Sequence, residues 1–187
     1  MIGRAQAEAL IRASVSPVLA DHCLRVAALA VSLARRWGAD EEAAFIAGAL
    51  HDYCRQRDAK EVLEASRKHR IDVGEIERRS TVQLLHGPLA ARELAHLDVD
   101  AAVLHAIAVH TVGCAGMSVL DKCVYVADAC EPARSFEGAD DIRARAAKAL
   151  DSAVALAVAR SIVHVVGRGR PLAPVSVALY NEVHGAK

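Results

Sequence analysis

Apolar residues recur along most of this chain at spacings of three and four, the period of helices buried on one side. A stripe of Leu19, His22, Val26, Leu29 and Leu33 predicts a helix that Ser16 caps, that accepts Pro17 in its first turn and that Gly38 closes. A short lead-in helix over residues 3–14 precedes it. Asp40 opens a third helix, in which Ala44, Ala47, Gly48 and His51 form a line of small residues that lets another helix come close. Asp58 caps a charged, solvated helix running to about His69, and from Arg70 to Thr81 no period is legible.

The run Leu84-Leu85-His86-Gly87-Pro88 predicts an extended lead-in at His86 and then a helix to about His96, because proline disfavours helical geometry just before it and suits a first turn. Asp100 starts a helix that places Val103, Ile107 and His110 on one face and stops at Thr111-Val112-Gly113. Ser118 with Asp121 forms a capping-box pattern ahead of Leu120, Val124 and Asp128, spaced i, i+4, i+8. Residues 139–167 and 171–185 read as two Ala/Val-rich packing helices joined by a solvated Gly-Arg-Gly-Arg turn. The expected fold is all-α, a helical bundle in one domain over 1–187, with its core at about 17–135 and packing helices at about 139–185.

Composition narrows the partners. The 23 basic and 23 acidic residues cancel, so no overall field draws the chain to nucleic acid, and an anion site must be local. The five cysteines contain no C-x-x-C pair, which points to reduced, mostly buried thiols and not to a disulfide framework or a zinc knuckle. With no apolar leader after Arg4 and no uninterrupted apolar run near the ~20 residues a membrane helix needs, a soluble cytoplasmic protein without a membrane partner is expected. Whether it forms a homodimer stays open.

His22, His51-Asp52, His86, His110 and Asp128 each stand where a helical stripe calls for a core residue. An unpaired buried carboxylate costs several kcal/mol, so Asp128 needs a cation, and its own helix offers no inward Lys or Arg. Four imidazoles and two carboxylates exceed a closed structural zinc site, and mixed nitrogen and oxygen ligation suits two first-row ions such as iron or manganese. His22, His51, Asp52 and Asp128 are assigned to one metal and His86 and His110 to the other, with Asp52 bridging. Two ions about 3.5–4 Å apart can share a hydroxide and clamp the attacking and leaving oxygens of a phosphorus centre. Arg25, Arg55 and Arg134 offer planar donors for phosphate oxygens, and Thr111 a hydroxyl beside His110.

The order and spacing resemble the HD superfamily of metal-dependent phosphohydrolases, built on H…HD…H…H…D. More narrowly, His22-Cys23-Leu24-Arg25-Val26, Ala47-Gly48-Ala49-Leu50-His51-Asp52, Leu85-His86-Gly87-Pro88, His110-Thr111-Val112-Gly113, Met117-Ser118 and Ala127-Asp128-Ala129-Cys130-Glu131-Pro132-Ala133-Arg134 look like its YqeK-type branch. That resemblance implies cleavage of diadenosine tetraphosphate into two ADP at a di-iron type centre. It carries over all six ligands, with His51 and Asp52 catalytic, and Arg25, Arg55, Thr111, Glu131 and Arg134 as substrate-side or supporting residues. The branch usually has Thr where Val112 stands, Arg where Cys114 stands and Lys where Arg55 stands. Alternatives are an HD hydrolase of another nucleotide (an alarmone, a cyclic dinucleotide or a deoxynucleotide), a nucleotide-sensing module with little turnover, or a redox di-iron enzyme.

Overall fold

The computed structural model describes residues 2–185, and among these there are helices and no strands. The helices are α1 (Arg4–Ser14), α2 (Pro17–Trp37), α3 (Glu41–Leu50), α4 (Ala59–Lys68), α5 (Glu75–Arg79), α6 (Thr81–Leu94), α7 (Ala101–Val109), α8 (Val119–Cys130), α9 (Ala139–Ala146), α10 (Leu150–Gly167) and α11 (Pro174–Gly185). The starts follow the caps read from sequence: Ser16 accepts from the Leu19 amide, Asp40 from Ala43, and Asp58 with Glu61 and Ser118 with Asp121 close capping boxes. Gly38 ends α2 in the left-handed region at φ 79°.

α3 and α8 pack on each other and on both α2 and α7, with α6 against α7, to form the centre of the bundle. α1 covers α3, α4 covers α6, and α9 and α10 cover the outer side of α8. The buried face of α2 is Ala20, Cys23, Ala27, Ala30 and Ala34 with Val26 and Leu33, whereas Leu19 and Leu29 of the expected stripe are only partly buried. The reason is distance. A Cβ on Gly48 of α3 would lie 2.7 Å from Ala27 Cα and 2.9 Å from its amide nitrogen, so the two helices meet backbone to backbone and only the smallest side chains of α2 fit between them.

Two expectations are corrected, and one observation is added to a third. His86 is not in an extended lead-in but inside α6, which runs through Pro88. Part of the clash that disfavours helical geometry before proline falls on the Cβ of the preceding residue, and that residue is Gly87, which has none. Gly87 also lets α6 approach α7, since a Cβ there would lie 2.9 Å from the Ile107 carbonyl. Residues 139–167 form two helices, α9 and α10, each packed on α8 and separated by a turn at 147–149. No Gly or Pro marks that turn; a tertiary bond does, in which Trp37 Nε1 donates to the freed carbonyl of Ala146 at 3.0 Å. Finally, α2 and α10 are each long and apolar enough, by length and composition alone, to cross a bilayer. Charges such as Asp21 and Arg25 interrupt the run in α2 without removing its average apolarity. The most apolar stretch of α2 is 50% buried within the protein, the character of a core helix, while that of α10 is 28% buried.

Replacing Gly48 with Ala tests the backbone contact. The gain in helix propensity is about 1 kcal/mol, but overpacking against an immovable backbone costs about 1–3 kcal/mol. Urea unfolding is expected to show a lower midpoint for Gly48→Ala with an unchanged slope.

Candidate metal centre

Six polar side chains from five helices and their ends meet in the middle of the bundle. His22 lies on α2, His51-Asp52 follow α3, His86 lies on α6, His110 ends α7 and Asp128 lies on α8. His51, Asp52, His86 and His110 are buried, and His22 and Asp128 partly so. The imidazoles form a chain of edge-on contacts, with ring centroids 5.4 Å apart for His22 and His51, 4.7 Å for His51 and His110, and 4.9 Å for His110 and His86.

Each ring is held from behind. His51 Nδ1 lies 2.7 Å from the Gly48 carbonyl, His86 Nδ1 2.7 Å from that of Val82, and His110 Nδ1 2.8 Å from that of Ile107. A carbonyl only accepts, so Nδ1 carries the proton in all three and the neutral ring turns a bare Nε2 lone pair toward the centre. His22 does the same with Glu131, whose Oε1 accepts from Nδ1 at 3.2 Å. Glu131 is in turn fixed by Arg25 Nε at 2.8 Å and by the Ala133 amide at 2.7 Å.

The inward atoms crowd together without satisfying one another. His22 Nε2, His51 Nε2 and Asp52 Oδ1 are buried and have no hydrogen-bond partner among the described residues. His86 Nε2 and His110 Nε2 face each other at 3.1 Å, where two lone pairs repel unless a positive charge sits beside them. Asp128 Oδ1 is 3.1 Å from His22 Nε2 and 3.7 Å from His51 Nε2. Asp52 turns Oδ1 to His86 at 3.0 Å and to His110 at 3.6 Å, and Oδ2 to His51 at 3.6 Å. Donor atoms of His22, His51 and Asp128 lie within 4.8 Å of one another, as do those of Asp52, His86 and His110. Orphaned buried donors of this kind, all with free electron pairs, fit divalent metal ions.

Burial and the carboxylates pull the rings in opposite directions, His51 and His86 toward the neutral, ligating form and His22 and His110 toward the protonated one. Burial pushes His51 down to about 4, so its ring is neutral near pH 7. Burial also lowers His86, while for His110 it is outweighed by Asp52, which raises the pKa. Burial opposes the charged form of Asp52, but His51, His110 and His86 outweigh it and hold the carboxyl far below its usual range. Asp128 is likewise held low against burial by His22, His51 and Arg134.

Every sequence-predicted ligand is therefore in one cluster. Of the other candidates, Thr111 Oγ1 lies 2.9 Å from His110 Nε2, and the charge of Arg55 reaches His86 and lowers it further. Arg134 binds Asp128 directly, with Nη2 2.8 Å from Oδ1 and Nε on the Asp128 carbonyl, so the cation that α8 itself does not provide comes from the turn after it. Arg25 is engaged by Glu131. Sequence reading missed Cys23, whose sulfur lies within 4.8 Å of donor atoms of His51 and Asp52. Burial drives its thiol pKa up and keeps it protonated, a poor ligand form. It also missed a cleft of about 940 Å³ that adjoins His110, Thr111 and Asp128 and is walled by α10.

A helical bundle with this H…HD…H…H…D cluster at its heart defines a metal-dependent hydrolase. The chain belongs to the HD domain family, whose profile matches residues 19–133. It is 31% identical to the symmetrical bis(5'-nucleosyl)-tetraphosphatase of Bacillus subtilis (strain 168), over 96% of this chain and 97% of that one. To the protein of the same name from Halalkalibacterium halodurans it is 31% identical over 97% of each. The crystal structure of a predicted HD superfamily hydrolase involved in NAD metabolism, from Clostridium acetobutylicum, superposes with a TM-score of 0.92, at 29% identity and with all of both chains covered.

Glu131 supports the cluster from outside it, and removing such a support costs about 10–100-fold in metal affinity. Glu131→Ala is expected to lose that much in a chelator competition titration, while far-ultraviolet circular dichroism stays that of the parent.

Proposed function

We propose that this protein cuts diadenosine tetraphosphate and related dinucleoside polyphosphates symmetrically, releasing two ADP, at a centre of two metal ions. The observation that carries the proposal is the division of the cluster into two donor groups, His22, His51 and Asp128 on one side and Asp52, His86 and His110 on the other. Asp52 stands between them, one oxygen toward His86 and His110 and the other toward His51. Full-length likeness to two proteins named as symmetrical tetraphosphatases supports this choice of substrate among nucleotides. Iron, with manganese and zinc as alternatives, fits the mixed nitrogen and oxygen donors.

When bound, the ions would acidify a water and offset charge developing on the phosphoryl group under attack. His22, His51, His86, His110, Asp52 and Asp128 would hold them. The chain's own residues then position the rest. Arg134 is 42% exposed, lines the cleft and keeps donors free beyond its bond to Asp128, which supports a role in meeting the polyphosphate between cluster and cleft. Arg55 puts a second charge on the His86 side, and the Thr111 hydroxyl, beside both His86 and His110, is a donor to a bridging or terminal oxygen. Arg25 is 39% exposed over the buried Glu131 carboxylate, which neutralises most of its pull on an anion and leaves it a positioning role through His22.

One preparation decides the matter: metal analysis together with chromatography of the products. About two ions per chain and ADP as the sole product from diadenosine tetraphosphate are expected; ATP plus AMP, or an uncut dinucleotide, would overturn the proposal. His51→Ala and Asp128→Ala are each expected to lose bound metal and to fall to the background rate.

A further inference from the structure

The cleft beside the cluster is more than an entrance. It is bordered by His110, Thr111 and Asp128, and its apolar walls include Ile142, Leu156 and Val163. Its volume of about 940 Å³ lies within the range of sites that enclose a ligand of nucleotide size, about 300–1,000 Å³. In a chain with only two phenylalanines, one of them, Phe136, lines this cleft from the α8–α9 connection and is 46% exposed. Its ring therefore offers an aromatic face to the cleft, next to the apolar walls supplied by Ile142, Leu156 and Val163.

Phe136 is also held where it is. Arg160 of α10 reaches across the cleft wall and donates from Nη1 to the Glu137 carbonyl at 2.6 Å, with Nη2 3.8 Å from Asp141. Its guanidinium occupies the space that a Cβ on residue 138 would fill, so the loop can be clamped this way only because Gly138, at φ 95°, stands there. Arg160 Nε is buried with no hydrogen-bond partner, a cost that the fold carries in this arrangement.

We propose that this cleft seats one nucleoside of the substrate, with Phe136 as the face on which its base stacks and Arg160 as the residue that positions Phe136. The inference rests on the dinucleotide reading given above. Aromatic stacking suits any base, since every base has a π-face, and its removal weakens binding by about tenfold or more. The phosphates then lead away from Phe136 past Arg134 toward the cluster, an order that the cleft lining permits.

Calorimetric titration of ADP and of inorganic pyrophosphate into the metal-loaded protein, alongside steady-state kinetics on diadenosine tetraphosphate, tests it. Phe136→Ala is expected to bind ADP about tenfold or more weakly and to raise KM similarly with little change in kcat, while pyrophosphate binds as to the parent. Phe136→Tyr should restore ADP binding, and Arg160→Ala should weaken ADP with bound metal unchanged. Unaltered ADP affinity in Phe136→Ala, or an equal loss for pyrophosphate, overturns the proposal. If the parent cuts the dinucleotide yet Phe136→Ala keeps its KM, the cleft assignment fails and the activity stands. If ADP binding depends on Phe136 but the dinucleotide is left intact, the activity fails and the cleft assignment stands.

Discussion

The structure depends on a constraint that acts behind the centre: each imidazole donates from Nδ1 to an oxygen acceptor, which keeps the proton on that nitrogen. For His51, His86 and His110 that acceptor is a backbone carbonyl three or four residues earlier, so the orientation of each ring is set by the turn of chain that carries it. The Nε2 lone pairs are thereby committed to the interior before any ion arrives. Only His22 is oriented by a side chain, Glu131, and that carboxylate has its own supports in Arg25 and the Ala133 amide.

Such a cluster can exist only where helices come unusually close, and the small residues supply the space. Gly48 brings α3 onto the backbone of α2, and Gly87 brings α6 onto the last turn of α7. One contact puts His51 beside His22, the other His86 beside His110. Polar groups in so dry a place are costly when unpaired, so the orphaned inward lone pairs call for cations, and Arg134 closes the exposed edge of Asp128.

Much of this was legible in the sequence, and the parts that were not share a cause. Ser16, Asp40, Asp58 and Ser118 announce helix starts through local hydrogen bonds, and the six polar residues stand out because helical spacing is itself local. The place of His86 is not legible from Pro88 alone, because proline's effect on the residue before it falls partly on that residue's Cβ, and Gly87 has none. The break between α9 and α10 has no Gly or Pro signal, and the Ala146 carbonyl there accepts from a tryptophan more than a hundred residues away. The cleft was invisible for a similar reason. Phe136 and Arg160 belong together only after α10 has folded back on α8.

The division of labour along the chain has a consequence for how such proteins change. All six metal-facing side chains lie between residues 22 and 128, inside the stretch that the family profile matches, whereas Phe136, Arg160 and the α10 wall of the cleft lie beyond its end at residue 133. On the proposed assignment, the metal donors and the outer wall of the cleft lie in largely consecutive segments, joined where Arg134 meets Asp128 and where α10 packs on α8. On that assignment, substitutions at Phe136 or along α10 alter the shape offered to a ligand while all six donor side chains keep their identity.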